Sequence, residues 1–94
     1  MLVLVKVGSN LLKTPEGDID LAFISSLAEK IKRLQRKGYK FVIVSSGAVL
    51  AGIKKLGFKG KPKTLTDKQA LASVGQAYLM HLYDTLFGSY GLQV

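Results

Sequence analysis

A chain of 94 residues with a formal net charge of +8 and no cysteine is long enough for one small domain. It excludes disulfide staples and thiolate metal sites, and a reducing cytoplasm is the expected compartment. No stretch reaches the roughly 18 to 20 apolar residues of a membrane span, and the opening MLVLVKVGSN lacks the basic segment and apolar length of a signal peptide, so a soluble protein with no membrane partner is expected.

The run Leu2–Leu11 (LVLVKVGSNL) reads as a parallel strand buried on both faces that breaks at a Gly-Ser-Asn turn. Side chains alternate along a strand, so Val3, Val5 and Val7 share one face while Leu2, Leu4 and Lys6 share the other. An ammonium group buried without a partner costs several kcal/mol, so Lys6 must reach water or meet an anion. Ligands of open α/β sheets gather outside the carboxyl ends of the strands, where Lys6 would point. Gly8 leaves room for a phosphate to approach the backbone, and Ser9 and Asn10 add short hydrogen-bonding side chains. Two readings stand on these residues alone: half of a phosphate-binding corner, or a snorkelling lysine above an ordinary turn.

Thr14–Asp20 (TPEGDID) reads as a surface loop in which Asp18 or Asp20 caps a following helix. Apolar residues at Leu21, Ile24, Leu27, Ala28, Ile31 and Leu34 form the stripe of a helix lying on a sheet. Lys32, Arg33, Arg36 and Lys37 match its C-terminal dipole as a solvated end, and Gly38 stops it. Tyr39–Val44 is a second strand with a buried centre, followed by Ser45-Ser46-Gly47-Ala48 and a helical spacing at Val49, Ile53 and Leu56. Strand, helix, strand in this order predicts a right-handed βαβ unit whose two strand exits share one edge. The second turn offers hydroxyls, a Cβ-free approach at Gly47 and the N–H groups of a helix start, an anion cradle by composition. A plain N-cap by Ser45 or Ser46 explains the same residues. Two such turns on one edge favour a ligand.

Lys54–Lys63 carries five lysines and reads as a flexible, solvated cationic loop. Phe58 stands alone there, without the aromatic interleaving of a base-stacking surface. The positive balance favours anionic partners, whether nucleotide, acidic metabolite, nucleic acid or membrane surface, without choosing among them. A last helix starts at Thr64 or Thr66, with Thr66 to Gln69 fitting a capping box, and its stripe is expected at Leu71, Val74, Tyr78, Leu82 and Leu86. Gly75 within it predicts a close approach to another backbone. His81, the sole histidine, reads as a surface or packing residue rather than a metal ligand. After Gly88–Gly91 ends the helix, Leu92–Val94 reads as a third strand just begun, and the bare sheet edge predicts self-association.

Taken together, VKVGSNLL at Val5–Leu12, GYKFVIVSSGAVLAG at Gly38–Gly52, DKQALASVGQAYLM at Asp67–Met80 and LFGSYGLQV at Leu86–Val94 resemble the N-terminal part of the amino acid kinase family. The resemblance is to its glutamate-phosphorylating branch rather than to the carbamate, acetylglutamate or uridylate kinases. It implies an α/β fold, a three-layer αβα sandwich with a mainly parallel sheet, of which residues 1–94 are a truncated N-terminal part. It further implies ATP-dependent phosphorylation of the L-glutamate γ-carboxylate to γ-glutamyl phosphate in proline biosynthesis, with ATP and Mg2+. The cytoplasmic location and a homo-oligomer are expected instead from the cysteine-free composition and the bare sheet edge.

By the same resemblance, Lys6 is the catalytic, phosphate-contacting lysine, Gly8 and Ser9 form the adjoining ATP-binding turn, Ser46 binds glutamate, and Gly47 and Ala48 line that pocket through their backbone. Asn10 stands where the family more often carries serine. The family's remaining glutamate ligands, its lysine-organising acid and its adenine segment would lie beyond residue 94, so the chain alone is expected to turn over negligibly. No Walker A motif is present, which disfavours a P-loop kinase. The competing expectations are another member of the family with a different carboxylate or phosphate acceptor, or a non-catalytic basic module binding nucleic acid.

Overall fold

Alternating β-branched and aromatic residues build two strands, and the segments with helical periodicity build three helices. A computed structural model describes residues 1–94 as β1 (Leu2–Val7), α1 (Leu21–Gln35), β2 (Lys40–Ser45), α2 (Ala48–Leu56) and α3 (Leu65–Gly88), in that order. The strands pair in parallel, in register from Leu2 opposite Lys40 to Val7 opposite Ser45. The predicted α/β class and parallel pairing are present, and both strands end on one edge.

Between them, Thr14 closes the predicted surface loop on itself: its N–H donates to Asp18 O at 2.8 Å and its Oγ1 accepts from Asp18 N at 3.0 Å. Asp20, one of the two expected caps, takes the N-cap of α1, its Oδ1 accepting from Phe23 N at 3.0 Å. The helix buries Ile24, Ala28 and Ile31 and sets Lys32 and Arg33 in its last turn. Leu21 and Leu34, at the margins of the predicted stripe, are exposed.

The core joins Val7, Leu12, the α1 residues, Ala51 of α2, and Leu79, Tyr83 and Phe87 of α3, with Val5, Phe41 and Ile43 packed against it. These strand residues occupy one face of the sheet. The other face is bare: Leu2 is 67% exposed, Leu4 62%, Val42 46% and Val44 49%. The expectation that β1 is buried on both faces, and β2 at its centre, is therefore corrected. This chain supplies the sheet and one helical layer, and no element of it crosses the outer face.

The predicted close approach at Gly75 is where α2 and α3 meet. A Cβ on Gly75 would overlap the Ala48 carbonyl oxygen, and one on Gly52 would overlap the Leu71 carbonyl oxygen. Backbone packs on backbone at this crossing.

Three expectations for the C-terminal third are revised. Thr64, not Thr66, is the N-cap of α3, with Oγ1 accepting from Asp67 N at 3.0 Å, so Gln69 has no capping partner. The buried stripe is Leu71, Gly75, Leu79, Tyr83 and Phe87, because α3 is apolar on several sides and the crossing at Gly75 selects which side turns inward. Leu92–Val94 adds no strand. Leu92 N instead donates to Phe87 O at 3.1 Å, and the segment lines an open cavity of about 260 Å³ with Ile31, Phe41, Ile43 and Phe87.

Candidate functional site

The exits of the two strands are tied together. The Ser46 N–H donates to Val7 O at 2.8 Å, carrying the parallel ladder one residue past β2. Beyond β1, two overlapping turns follow, with Leu11 N donating to Gly8 O at 3.1 Å and Leu12 N to Ser9 O at 3.2 Å. They drive Leu12 into the core, where it is 1% exposed. A Cβ on Gly47 would stand 2.9 Å from Leu12 Cδ1, and Gly47 also has φ +104°, so only glycine fits there. Leu12 thus clamps the first turn beneath the second.

Lys6 lies opposite Val44, two residues before Ser46. A strand spacing of about 4.8 Å and a rise of about 3.3 Å per residue put the Lys6 and Ser46 backbones roughly 8 Å apart. Both residues are exposed. The Lys6 side chain has no hydrogen-bond or ion-pair partner. The ion pairs are elsewhere, Arg33 with Glu29 at 3.0 Å and Lys54 with Asp18 at 2.8 Å.

Gly8 has no positive φ, and a Cβ on it would meet nothing within 4 Å. Neither backbone strain nor packing within this chain calls for glycine there. Ser9 and Asn10 are exposed beside it.

The start of α2 is corrected from its simplest reading. Neither Ser45 nor Ser46 caps it. Gly47 occupies the N-cap and no side chain bonds to the helix end, which leaves the N–H groups of Gly47, Ala48, Val49 and Leu50 without partners. Helices α1 and α3, by contrast, are capped by Asp20 and Thr64. Four free N–H groups at the positive end of a helix dipole favour an anion.

The Ser45 hydroxyl turns inward instead. It donates to Ser46 O at 2.9 Å and accepts from the phenol of Tyr83 at 2.9 Å. Burial pushes the Tyr83 phenol above its ordinary pKa, with the Ser45 hydrogen bond opposing, so it stays a donor through the neutral range. Neither residue stood out as functional in the sequence. The only trace was a tyrosine four residues from Leu79 and from Phe87, the spacing of a buried stripe.

The cationic stretch divides into two parts. Lys54 and Lys55 belong to the last turn of α2, with Lys55 Nζ 5.4 Å from the Tyr78 ring centroid, and the connection proper runs over 57–64. The first part of this segment is therefore ordered helix rather than loop. His81 is exposed, and no three His, Cys, Asp or Glu side chains gather where they could hold a metal ion. No helix is long and apolar enough to cross a membrane.

The chain is 69% identical over 94 residues to glutamate 5-kinase of Aquifex aeolicus (strain VF5), a match covering all of this chain and 26% of that protein. It is 47% identical over 93 residues to glutamate 5-kinase of Gloeobacter violaceus, covering 98% of this chain and 25% of that one. It is 46% identical over 89 residues to glutamate 5-kinase of Clostridium acetobutylicum, covering 95% and 33%. The chain thus spans about a quarter to a third of the length of these relatives, and corresponds to their N-terminal portion. The model of the Amino acid kinase family matches residues 1–94: with paired strands running parallel and both exits on one edge, the chain belongs to that family.

Proposed function

We propose that residues 1–94 form the N-terminal part of an amino acid kinase domain and supply one corner of the active site of an enzyme that transfers the γ-phosphoryl group of ATP to the γ-carboxylate of L-glutamate, in proline biosynthesis. One observation carries the reading. An unpaired lysine and an uncapped helix N-terminus face the same sheet edge, with an exposed serine between them. The likeness to proteins named glutamate 5-kinase supports the choice of acceptor.

In phosphoryl transfer the protein mainly positions the reactants and neutralises the phosphate oxygens. The Lys6 ammonium suits the second task, and Gly8 and Ser9 offer a backbone that a phosphate can approach closely. The Ser46 hydroxyl and the N–H groups of Gly47 and Ala48 suit the carboxylates of the acceptor. The attacking γ-carboxylate is ionised at neutral pH, so no general base is required. These residues fit phosphate and carboxylate. They do not fit a protein-held Mg2+, since no carboxylate cluster lies among them, and no step is derived through one. A chain without cysteine suits a reducing cytoplasm.

The test is a hybrid in which residues 1–94 replace the matching N-terminal portion of the Aquifex aeolicus relative. Coupled turnover of ATP with glutamate is expected. Lys6→Ala should lower kcat/KM by about 10²- to 10³-fold, the usual effect of losing one transition-state charge donor, and leave the thermal midpoint unchanged because Lys6 is exposed and unpaired. Full activity of the Lys6→Ala hybrid would refute the assignment.

A further inference from the structure

The strongest feature outside the proposed contacts is the hydrogen-bonded line from Tyr83 to the Ser46–Gly47 peptide. Tyr83 is 2% exposed, and its ring is held edge-on by Phe87, with centroids 5.6 Å apart. Its phenol donates to Ser45 Oγ at 2.9 Å, and Ser45 Oγ donates to Ser46 O at 2.9 Å. On the other side of the same residue, Ser46 N–H is held by Val7 O at 2.8 Å. The backbone of Ser46 is therefore fixed from both ends, once by the sheet and once by the Ser45 hydroxyl, which is itself held by Tyr83, 38 residues on from Ser45. A peptide is planar, so fixing the Ser46 carbonyl also fixes the Gly47 N–H, which points the opposite way. That N–H is the first of the four free donors at the start of α2.

A serine hydroxyl alone can rotate between acceptors. With the Tyr83 phenol donating to one of its two lone pairs, Ser45 turns its own proton away from the phenol and onto the Ser46 carbonyl.

We infer that Tyr83 is a positioning residue for the candidate site, orienting the Ser46–Gly47 peptide through Ser45 so that the Ser46 hydroxyl and the Gly47 N–H meet the acceptor carboxylates in one geometry. The inference rests on the kinase reading above. Tyr83 touches no substrate, and its effect falls on acceptor binding rather than on phosphate contact at Lys6.

The test combines two measurements. In the 94-residue chain, Tyr83→Phe and Ser45→Ala should each shift the Gly47 amide resonance and speed hydrogen exchange of the Ser46 amide, which is bonded to Val7 O. In the hybrid, each should raise the KM for glutamate about three- to tenfold, the equivalent of one lost hydrogen bond, with kcat and the KM for ATP unchanged. Because both act through one peptide, the double variant should lose no more than either single one. An unmoved Gly47 resonance, an unmoved glutamate KM, or additive losses in the double variant would overturn the inference. A hybrid inactive with native Tyr83 would refute the kinase reading instead, and the Gly47 resonance would then still decide whether Tyr83 orients this peptide.

Discussion

Replacing Gly75 by alanine puts a methyl group where α3 rests on the backbone of α2. The new Cβ overlaps the Ala48 carbonyl oxygen and also crowds the Gly52 nitrogen, and neither can swing aside as a side chain would. Restoring ordinary contact requires the helices to part by about 1.5 to 2 Å. Overpacking of this kind costs about 1 to 3 kcal/mol, and rigid backbone on the opposing side places Gly75→Ala at the upper end. Alanine's better helix propensity returns about 1 kcal/mol, for a net loss of about 2 kcal/mol. A chain of this length has about 5 to 14 kcal/mol in total, and with only 12 of 94 residues buried the lower end applies. Urea unfolding with a slope of about 1 kcal/mol per molar should show the midpoint falling by about 2 M. Gly88→Ala is the control. It lies in the same helix with nothing within 4 Å of its Cβ position and no positive φ, so its midpoint should hold or rise. Equal midpoints for the two variants would refute the backbone-contact argument.

The cap of α3 can be assigned by stability. Thr64→Ala should cost about 1 kcal/mol, whereas Thr66→Ala should stay within about 0.5 kcal/mol of the native chain, both read from urea midpoints. Tyr83 gives a pH signature. Its phenol titrates higher folded than unfolded, so the folded state holds the extra proton. Its contribution is complete below the unfolded value near 10 and declines as pH rises through the folded value. The stability difference between the native chain and Tyr83→Phe should therefore be flat through neutral pH and shrink above about pH 10, as followed by unfolding at fixed pH. The bare sheet face predicts self-association of the 94-residue chain. Sedimentation should show oligomers that Leu4→Lys and Val42→Lys reduce, and a native chain that stays monomeric at high concentration would contradict it.

Much of the local structure was legible. Asp20 as a cap, Gly38 as a stop and the close approach at Gly75 follow from residue type and position within a few residues. The phase of α3 was not legible, because Leu71, Val74, Tyr78, Leu79, Leu82, Tyr83, Leu86 and Phe87 leave several sides apolar, and the contact with α2 chose among them. Thr64 and Thr66 are equal as caps in isolation. The chain path out of the preceding loop gave Thr64 the extended backbone of an N-cap, with φ −106° and ψ 157°. At the candidate site, Lys6 stood out as a charge at a strand exit, Gly8 and Gly47 as glycines at turns, and Ser46 as a turn hydroxyl. Ser45 was readable as a turn hydroxyl or a cap, but not as the link to Tyr83, which lies 38 residues on.

Residue order alone was enough for the two strands and three helices, though not for the absence of a third strand at Leu92–Val94, and also for the parallel run of the strands and the residues at their exits. Those properties depend on side-chain alternation, turn residues and a short crossover, all set within one or two elements. The packing of the elements settles that one sheet face is bare, that α2 begins without a cap, and that Tyr83 reaches the backbone of Ser46 through Ser45. These depend on how α3 settles against α2 and the sheet, and that is decided by backbone fit at Gly52 and Gly75, where a methyl group too many would keep the helices apart.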